Sequence, residues 1–510
     1  MWCSPIPPPL SFSRPMITFN TRRLTLVAMV LRGLIAIRAA CASDEPKISD
    51  IHINFKVDRN SLFRNPAMGW VLYAEDLTRF PDADHFWQKA EAVANKASIL
   101  YIRAPWSQYE PQEGAYCWER DANYRKLVDG ARARGLRLAF RIVLNSHDCG
   151  ASAAPNYVAL AGAKGELETG FQGVKVWNPD IMDPIFRERF TTFLRAFARH
   201  YDDPSVVDYV DGVGLGYWGE MHHLAITPQQ RPGVYDWICS TYAACFHHVL
   251  LGTQAASELG NVGPLDQSIA MKKYGYVPRI DSLGSHWLDS HRREVLASMV
   301  ALAPLFGESC YFSLRTWPEP WRQKTEGYQT IRDVLGATMN DALQFHANTL
   351  DLRTPEDALT WTEEAPELVQ RFIREGGYRL APTVASYKEV GAVPGAFNIR
   401  HTWRNFGVGF LPNDNPRWNH KYRVAFALLP ALGGEPLEVF VDSEIDPGSW
   451  RGDQEFECHT LATFRRARAG CRLALAIVDT SHKNTPAIAL ALADSPQKAA
   501  WVALGGVISQ

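Results

Sequence analysis

From residue 50 onward the chain alternates short β-rich runs with helical patterns eight times, and the alternation stops at Gly376-Gly377. A strand, a helix and a further strand form the unit of a parallel sheet. Eight consecutive units are what closes a (β/α)8 barrel. The strand runs are residues 68–73, 98–105, 136–145, the stretch that starts at 210, and then 249–254, 280–287, 305–311 and 345–352. Helical spacing covers residues 83–95, 124–134, 183–200, 235–246, 265–274, 292–302, 327–343 and 355–375. After Gly377 short alternating strands take over at 397–403, 422–428, 437–441, 456–463, 473–477 and 487–492, with Gly, Pro and Asn turns between them. That is the pattern of an antiparallel β-sandwich. The expected fold is α/β, a TIM barrel over residues 50–377 followed by a C-terminal β-sandwich over 378–510.

Residues 1–42 read as an export signal. Arg22-Arg23 precedes an apolar run at 24–37, and Ala40-Cys41-Ala42 offers the small residues of a cleavage site, although Arg32 and Arg38 interrupt the pattern. No later segment reaches the ~20 uninterrupted apolar residues of a membrane span. The mature chain is therefore expected to be secreted or periplasmic, with no membrane contact beyond the signal. Its 53 basic and 55 acidic residues contain no long run of one sign, which argues against a nucleic-acid partner. Of nine cysteines, Cys3 and Cys41 fall in the signal, leaving seven. An oxidising compartment would permit Cys458 with Cys471 and Cys117 with Cys149; buried thiols are the alternative.

The chemistry concentrates where barrel strands end. In such barrels the strand interiors are packed core, and the acting residues sit at the C-terminal mouth. The run Gly212-Val213-Gly214-Leu215-Gly216-Tyr217-Trp218-Gly219-Glu220 delivers Glu220 at the end of the fourth strand, and Leu305-Phe306-Gly307-Glu308 delivers Glu308 at the end of the seventh. Strands four and seven face each other across a mouth. Glycosidic hydrolysis needs such a pair, one carboxyl to protonate the leaving oxygen and one carboxylate to attack the anomeric carbon or to activate water. Sixteen tryptophans include several near loop starts, where pyranose faces stack on aromatic rings.

These residues resemble those of the clan A type of (β/α)8 glycoside hydrolases, retaining enzymes whose acid/base and nucleophile glutamates end strands four and seven. The chain also resembles a family of mostly bacterial secreted proteins of unknown function in which such a barrel precedes a β-sandwich. The shared motifs are Asn65-Pro66-Ala67-Met68-Gly69-Trp70, Gly216-Tyr217-Trp218-Gly219-Glu220, Asp281-Ser282-Leu283-Gly284-Ser285-His286-Trp287 and Trp403-Arg404-Asn405-Phe406-Gly407-Val408. The resemblance covers roughly residues 60–430 and implies a retaining mechanism with Glu220 as acid/base and Glu308 as nucleophile. The clan usually places Asn before the acid/base glutamate to meet the sugar's 2-hydroxyl; here that position is Gly219.

Further candidates for binding an oligo- or polysaccharide are Arg103, Asn145, His222 and His286, with Trp106, Trp177, Tyr217, Trp218, Trp287 and Tyr311 as stacking surfaces. Arg103 and Arg141, late in strands two and three, suit either a sugar contact or a buried ion pair. Polar residues Asn145, His147 and Asp148 end strand three, whose long following loop is expected to wall a cleft. No HExxH, P-loop, dinucleotide fingerprint or nucleophile elbow is present, so no cofactor and no metal are expected. The competing expectation is a non-catalytic carbohydrate-binding or envelope protein on the same barrel. A metal-dependent hydrolase using the histidines ranks third. Sugar, linkage, exo or endo action and oligomeric state stay open.

Overall fold

In the computed structural model, residues 51–145, 149–170, 173–315, 317, 324–390, 395–467 and 470–507 are described. The export segment expected at 1–42, and His147 and Asp148, lie outside them. After β1 (Ile51–Asn54) come β2 (Gly69–Glu75), β3 (Ala97–Pro105) and β4 (Arg137–Val143), then a hairpin of β5 (Gly165–Thr169) and β6 (Lys175–Pro179). The parallel series resumes with β7 (Val207–Asp211), β8 (Leu250–Gln254), β9 (Val277–Leu283), β10 (Leu305–Ser309) and β11 (Ala347–Arg353). Strands β2, β3, β4, β7, β8, β9, β10 and β11 close into the eight-stranded barrel, with β11 paired to β2.

Strand side chains alternate between two faces, and here each face has its own partner. Trp70, Leu72, Leu100, Ile102, Leu138, Phe140, Val210 and Leu251 join the helical layer in one core. Val71, Tyr73, Ile99, Tyr101, Ala139, Tyr209, Val277 and Phe306 belong to another core, inside the barrel. Tyr73, Tyr101, Tyr209 and Phe306 pack across the lumen, with ring centroids 4.7 Å apart for the first, tilted pair, and 6.0 Å and 4.3 Å for the second and third, stacked pairs. One step further along the same inner face the residues change to Glu75, Arg103, Arg141, Asp211, Arg279, Glu308, Asp351 and Arg353.

The outer helices follow from spacing and caps. In the helix Pro184–Tyr201, Asp183 accepts from the Ile185 and Phe186 amides, Pro184 opens the first turn, and Phe186, Phe190, Phe193 and Phe197 recur on the buried face. Each such burial contributes about 1.5–3 kcal/mol relative to exposure. The single helix expected over 355–375 is two, Pro355–Glu364 and Pro366–Glu375. Pro366 has no N–H and restricts the residue before it, and Ala365 accordingly leaves helical geometry at φ −145°, ψ 52°. The fourth strand also ends earlier than expected, at Asp211. Gly214 and Gly216 have φ of 68° and 75° and turn the glycine run into a loop; a Cβ on Gly214 would lie 2.0 Å from the Ile142 carbonyl oxygen.

The C-terminal strands β12 (Leu380–Glu389), β13 (Ala396–Asn405), β14 (Tyr422–Pro430), β15 (Glu438–Val441), β16 (Glu455–Thr463), β17 (Cys471–Asp479), β18 (Thr485–Ile488) and β19 (Val502–Val507) make two antiparallel sheets. One has the order β1-β12-β13-β16, so it recruits the strand that precedes the barrel; the other is β15-β14-β17-β18, with β19 on β17. Their core runs without interruption into the lower barrel interior. Polar contacts seal the junction: Arg417 donates to the carbonyls of Phe246, Tyr274 and Gly275, Asn415 to that of Gly275, and Arg451 to that of Ala301. All these acceptors precede barrel strands. The sandwich thus covers the N-terminal end of the barrel and leaves the C-terminal end open.

Neither expected disulfide forms, because Cys117, Cys458 and Cys471 carry free thiols. Cys458 and Cys471 fall on strands of different sheets. No helix of the described residues is long and apolar enough to cross a membrane.

Candidate active site

A cavity of about 730 Å³ opens at the C-terminal mouth, and Glu220 and Glu308 both line it. Glu308 is the last inward residue of β10, two positions beyond Phe306 of the aromatic layer. Glu220 arrives differently. It ends a turn over Tyr217–Gly219, and along Trp218 to His223 the residues Trp218, Met221 and His223 take positive φ of 54°, 62° and 52°. Left-handed geometry at a non-glycine residue costs on the order of 1–3 kcal/mol and persists only where surroundings over-determine it. Those surroundings are backbone hydrogen bonds from Met221 to Leu215 (2.7 Å) and Tyr217 to His222 (3.1 Å), with side-chain acceptors Asn145 for the Gly216 amide (3.1 Å) and Glu258 for that of His223 (2.9 Å).

The turn explains Gly219. With φ at 73°, a Cβ there would stand 3.1 Å from Arg141 Cδ and 3.2 Å from Gly214 Cα. A larger residue there would have to push Arg141 aside, and glycine offers no side chain to a sugar's 2-hydroxyl, so any such contact comes from elsewhere on the wall.

Below the cavity lies a network of buried ions. Glu220 Oε1 accepts from Arg141 (2.6 Å) and Arg103 (2.8 Å), and Arg279 stands 3.7 Å away. Burial alone would push the Glu220 carboxyl up, but Arg141, Arg103 and Arg279 outweigh it and hold the group well below the usual carboxylate range. Arg103 also donates to Glu75 (2.5 Å), whose carboxyl is held low against burial by Arg103 and Arg353. Glu308 is clasped by Arg279 and Arg353. Arg279 therefore bridges the two glutamates, and its Nε lies 3.4 Å from Asp211. Beneath Glu308, burial pushes Asp351 up to about 6 although Arg353 and the Ser309 amide oppose it.

Other expected site residues scatter. Arg103, Trp218, His222 and Trp287 line the same cavity, with Trp218 and Trp287 at its rim, 41% and 53% exposed. Trp106 is fully buried against Phe190 and Phe193, its Nε1 donating to Glu110, and does not reach the cavity. Tyr311 is buried as well, and its hydroxyl shares the Glu326 carboxylate with His286 Nδ1. Asn145 and Tyr217 line a second cavity of about 770 Å³, walled by the β5–β6 hairpin of the long loop after β4. Trp177 lies in that hairpin, paired with Leu167, and lines neither cavity. Residues not anticipated as site residues are Glu75, Gln254, Asp281 and Arg353 on the wall and Arg279 below it. Their signal was available: each lies two or four positions along its strand from an inward-facing core residue.

Glu220, His222 and Asp281 bring potential ligand atoms within 4.8 Å of one another. A cation there would meet Arg141, Arg103 and Arg279, whose field repels it, and Glu220 Oε1 already receives two guanidinium N–H groups. The donor set does not suit a metal.

No family model matches the chain, and no curated protein matches it. Among solved structures it is similar to the exo-β-1,4-mannosidase Op5Man5 from Opitutaceae bacterium strain TAV5, at 15% identity and TM-score 0.38 over 63% of this chain and 58% of that one. The endoglucanase Cel5A of Pseudomonas stutzeri is similar at 9% identity and TM-score 0.38, over 63% and 97% of the two chains. Endo-glycoceramidase II from Rhodococcus sp. is similar at 13% and 0.38, over 82% and 98%. The chain spans little more than half of the mannosidase's length. Likeness at this level carries no argument about activity, which has to be read from the site itself.

Proposed function

We propose that this protein is an exported glycoside hydrolase that cleaves an oligo- or polysaccharide at the barrel mouth with retention of configuration. The observation that carries the reading is the convergence of Glu220 and Glu308 on one cavity with two exposed tryptophans at its rim. Glu308, charged and oriented between Arg279 and Arg353, has the environment of a carboxylate that attacks an anomeric carbon. Trp218 and Trp287 offer apolar faces to a sugar ring beside Gln254, Glu258 and Ser282, which supply hydrogen-bonding groups. Strain at Trp218, Met221 and His223 supports a site held in shape for use.

A second reading, a barrel that binds carbohydrate without turnover, is favoured by one observation. Glu220, the acid/base that the family resemblance implies, is held ionised by its arginines, whereas a general acid needs a raised pKa. The test is a panel of aryl glucosides, galactosides, mannosides and xylosides of both anomeric forms, assayed with wild type and Glu308→Gln. Turnover that Glu308→Gln abolishes, with the product released as the substrate's own anomer by NMR, supports hydrolysis. Binding of sugars by calorimetry without any turnover supports the second reading.

A further inference from the structure

We propose that His222, oriented by Asp281, is the proton donor to the leaving oxygen, in place of Glu220; this rests on the hydrolase reading above. A donor must line the cavity, hold a proton at working pH, and stand near both the attacking carboxylate's partner and the substrate. Glu220 fails the second condition by its contacts, since Oε1 is occupied by Arg141 and Arg103 at 2.6 and 2.8 Å, with Arg279 behind. A proton on that carboxyl would neutralise the charge that these three guanidinium groups hold in place. His222 lies two residues further along the same turn, lines the same cavity, and is about one-third exposed at 33%.

Its Nε2 stands 3.5 Å from Asp281 Oδ2, on the inner face at the end of β9, and Asp281 is itself a wall residue. Three carboxylates act on the ring, Asp281 from β9, Glu220 from its own turn and Glu258 from the loop after β8, while Arg103, Arg292 and Arg353 are the cations on the same cavity wall. Burial disfavours the imidazolium, but Asp281, then Glu220 and Glu258, reverse this and leave the group above its ordinary value. Arginines therefore surround the glutamate and carboxylates surround the histidine, pushing apart the protonation states of two neighbours in one turn.

The step balances as follows. Glu308 forms a bond to the anomeric carbon as the glycosidic C–O bond breaks, and its electron pair leaves with the departing oxygen. That oxygen takes the proton from the ring nitrogen that Asp281 does not hold. Neutral His222 then takes a proton from water, whose oxygen attacks the glycosyl–Glu308 ester and restores the carboxylate and the imidazolium. Glu220 stays ionised throughout and stabilises positive charge on the ring and the sugar. Asp281 acts as a positioning residue.

The test compares leaving groups on whichever sugar of the panel wild type cleaves. His222→Gln is expected to slow alkyl glycosides about 10²–10⁴-fold while slowing 2,4-dinitrophenyl glycosides far less, because that leaving group needs no proton. Asp281→Asn, which keeps the ring in place, should shift the basic limb of kcat/KM to lower pH, and should lower the His222 titration followed by imidazole ¹⁵N NMR. The proposal is overturned if Glu220→Gln, and not His222→Gln, shows the leaving-group dependence, or if His222 titrates at or below roughly 6.5 in wild type. Failure of the hydrolase reading looks different, since wild type would then cleave no glycoside at all.

Discussion

The two ends of the barrel are built from the same strands and the same alternating face, yet they differ in everything else. At the N-terminal end the lumen is filled by Val71 and Ile99 beneath the rings of Tyr73, Tyr101, Tyr209 and Phe306, continuous with the sandwich core. At the C-terminal end, further along the same strands, the filling becomes Arg103, Arg141, Arg279 and Arg353 interleaved with Glu75, Asp211, Glu308 and Asp351, and Glu220 joins them from the turn after β7. Burying an ion pair costs several kcal/mol per ion in desolvation, and a hydrophobic replacement is often neutral or stabilising. The lower end is filled chiefly by apolar and aromatic side chains, with the pair Arg137 and Asp208 at the strand starts beside the sandwich. Charges at the upper end are therefore best explained by what the cavity does, and the division between a stabilising end and a working end can be tested.

The largest expected effect is on turnover. Glu308→Gln should lower kcat by at least about 10³-fold, equivalent to ~4 kcal/mol, with the protein still folded by circular dichroism. Next comes Arg279→Met, which strips the shared cation from between Glu220, Glu308 and Asp211 and should cost about 3–5 kcal/mol in urea unfolding. An unchanged stability would mean that the network is not what holds the upper end together.

Acid should act through the same end. Glu220 has a lowered folded pKa, so its contribution is complete above the unfolded value of roughly 4.3 and is lost as pH falls toward the folded one. Wild type should lose stability progressively below that pH, and Glu220→Gln should lose less; parallel curves would contradict the arginine clasp. Gly219→Ala puts a Cβ into left-handed backbone against Arg141 and should cost about 1–3 kcal/mol, together with a fall in kcat. The smallest effect belongs to the lower end. Ile99→Val should cost about 0.5–1.5 kcal/mol and leave kcat/KM within twofold; a tenfold fall would dissolve the distinction between the ends.

Much of this was legible in sequence because the barrel repeats one physical unit. Near-continuous apolar strands such as Ala97–Pro105, buried at every position, and the Asp183-Pro184 helix start are strong local signals. Glu220, Glu308, Trp218, His222 and Trp287 were found because they stand just where apolar runs stop. What was not legible depends on geometry that spacing does not carry. Nothing local distinguishes Trp106, buried among phenylalanines, from Trp287 at the rim. The glycine run read as strand until positive φ at Gly214 and Gly216 turned it outward. Alternation puts Arg279 and Arg353 on the inner face, but nothing in the spacing says that they converge with Arg103 and Arg141 on Glu220 and Glu308.

The most direct measurement is covalent trapping. Wild type incubated with the activated 2-deoxy-2-fluoro derivative of its preferred aryl glycoside, digested and analysed by mass spectrometry, should carry one glycosyl group on the peptide containing Glu308, and Glu308→Gln should carry none. A label on Glu220 or another residue, or rapid wild-type turnover that Glu308→Gln retains, would contradict the account.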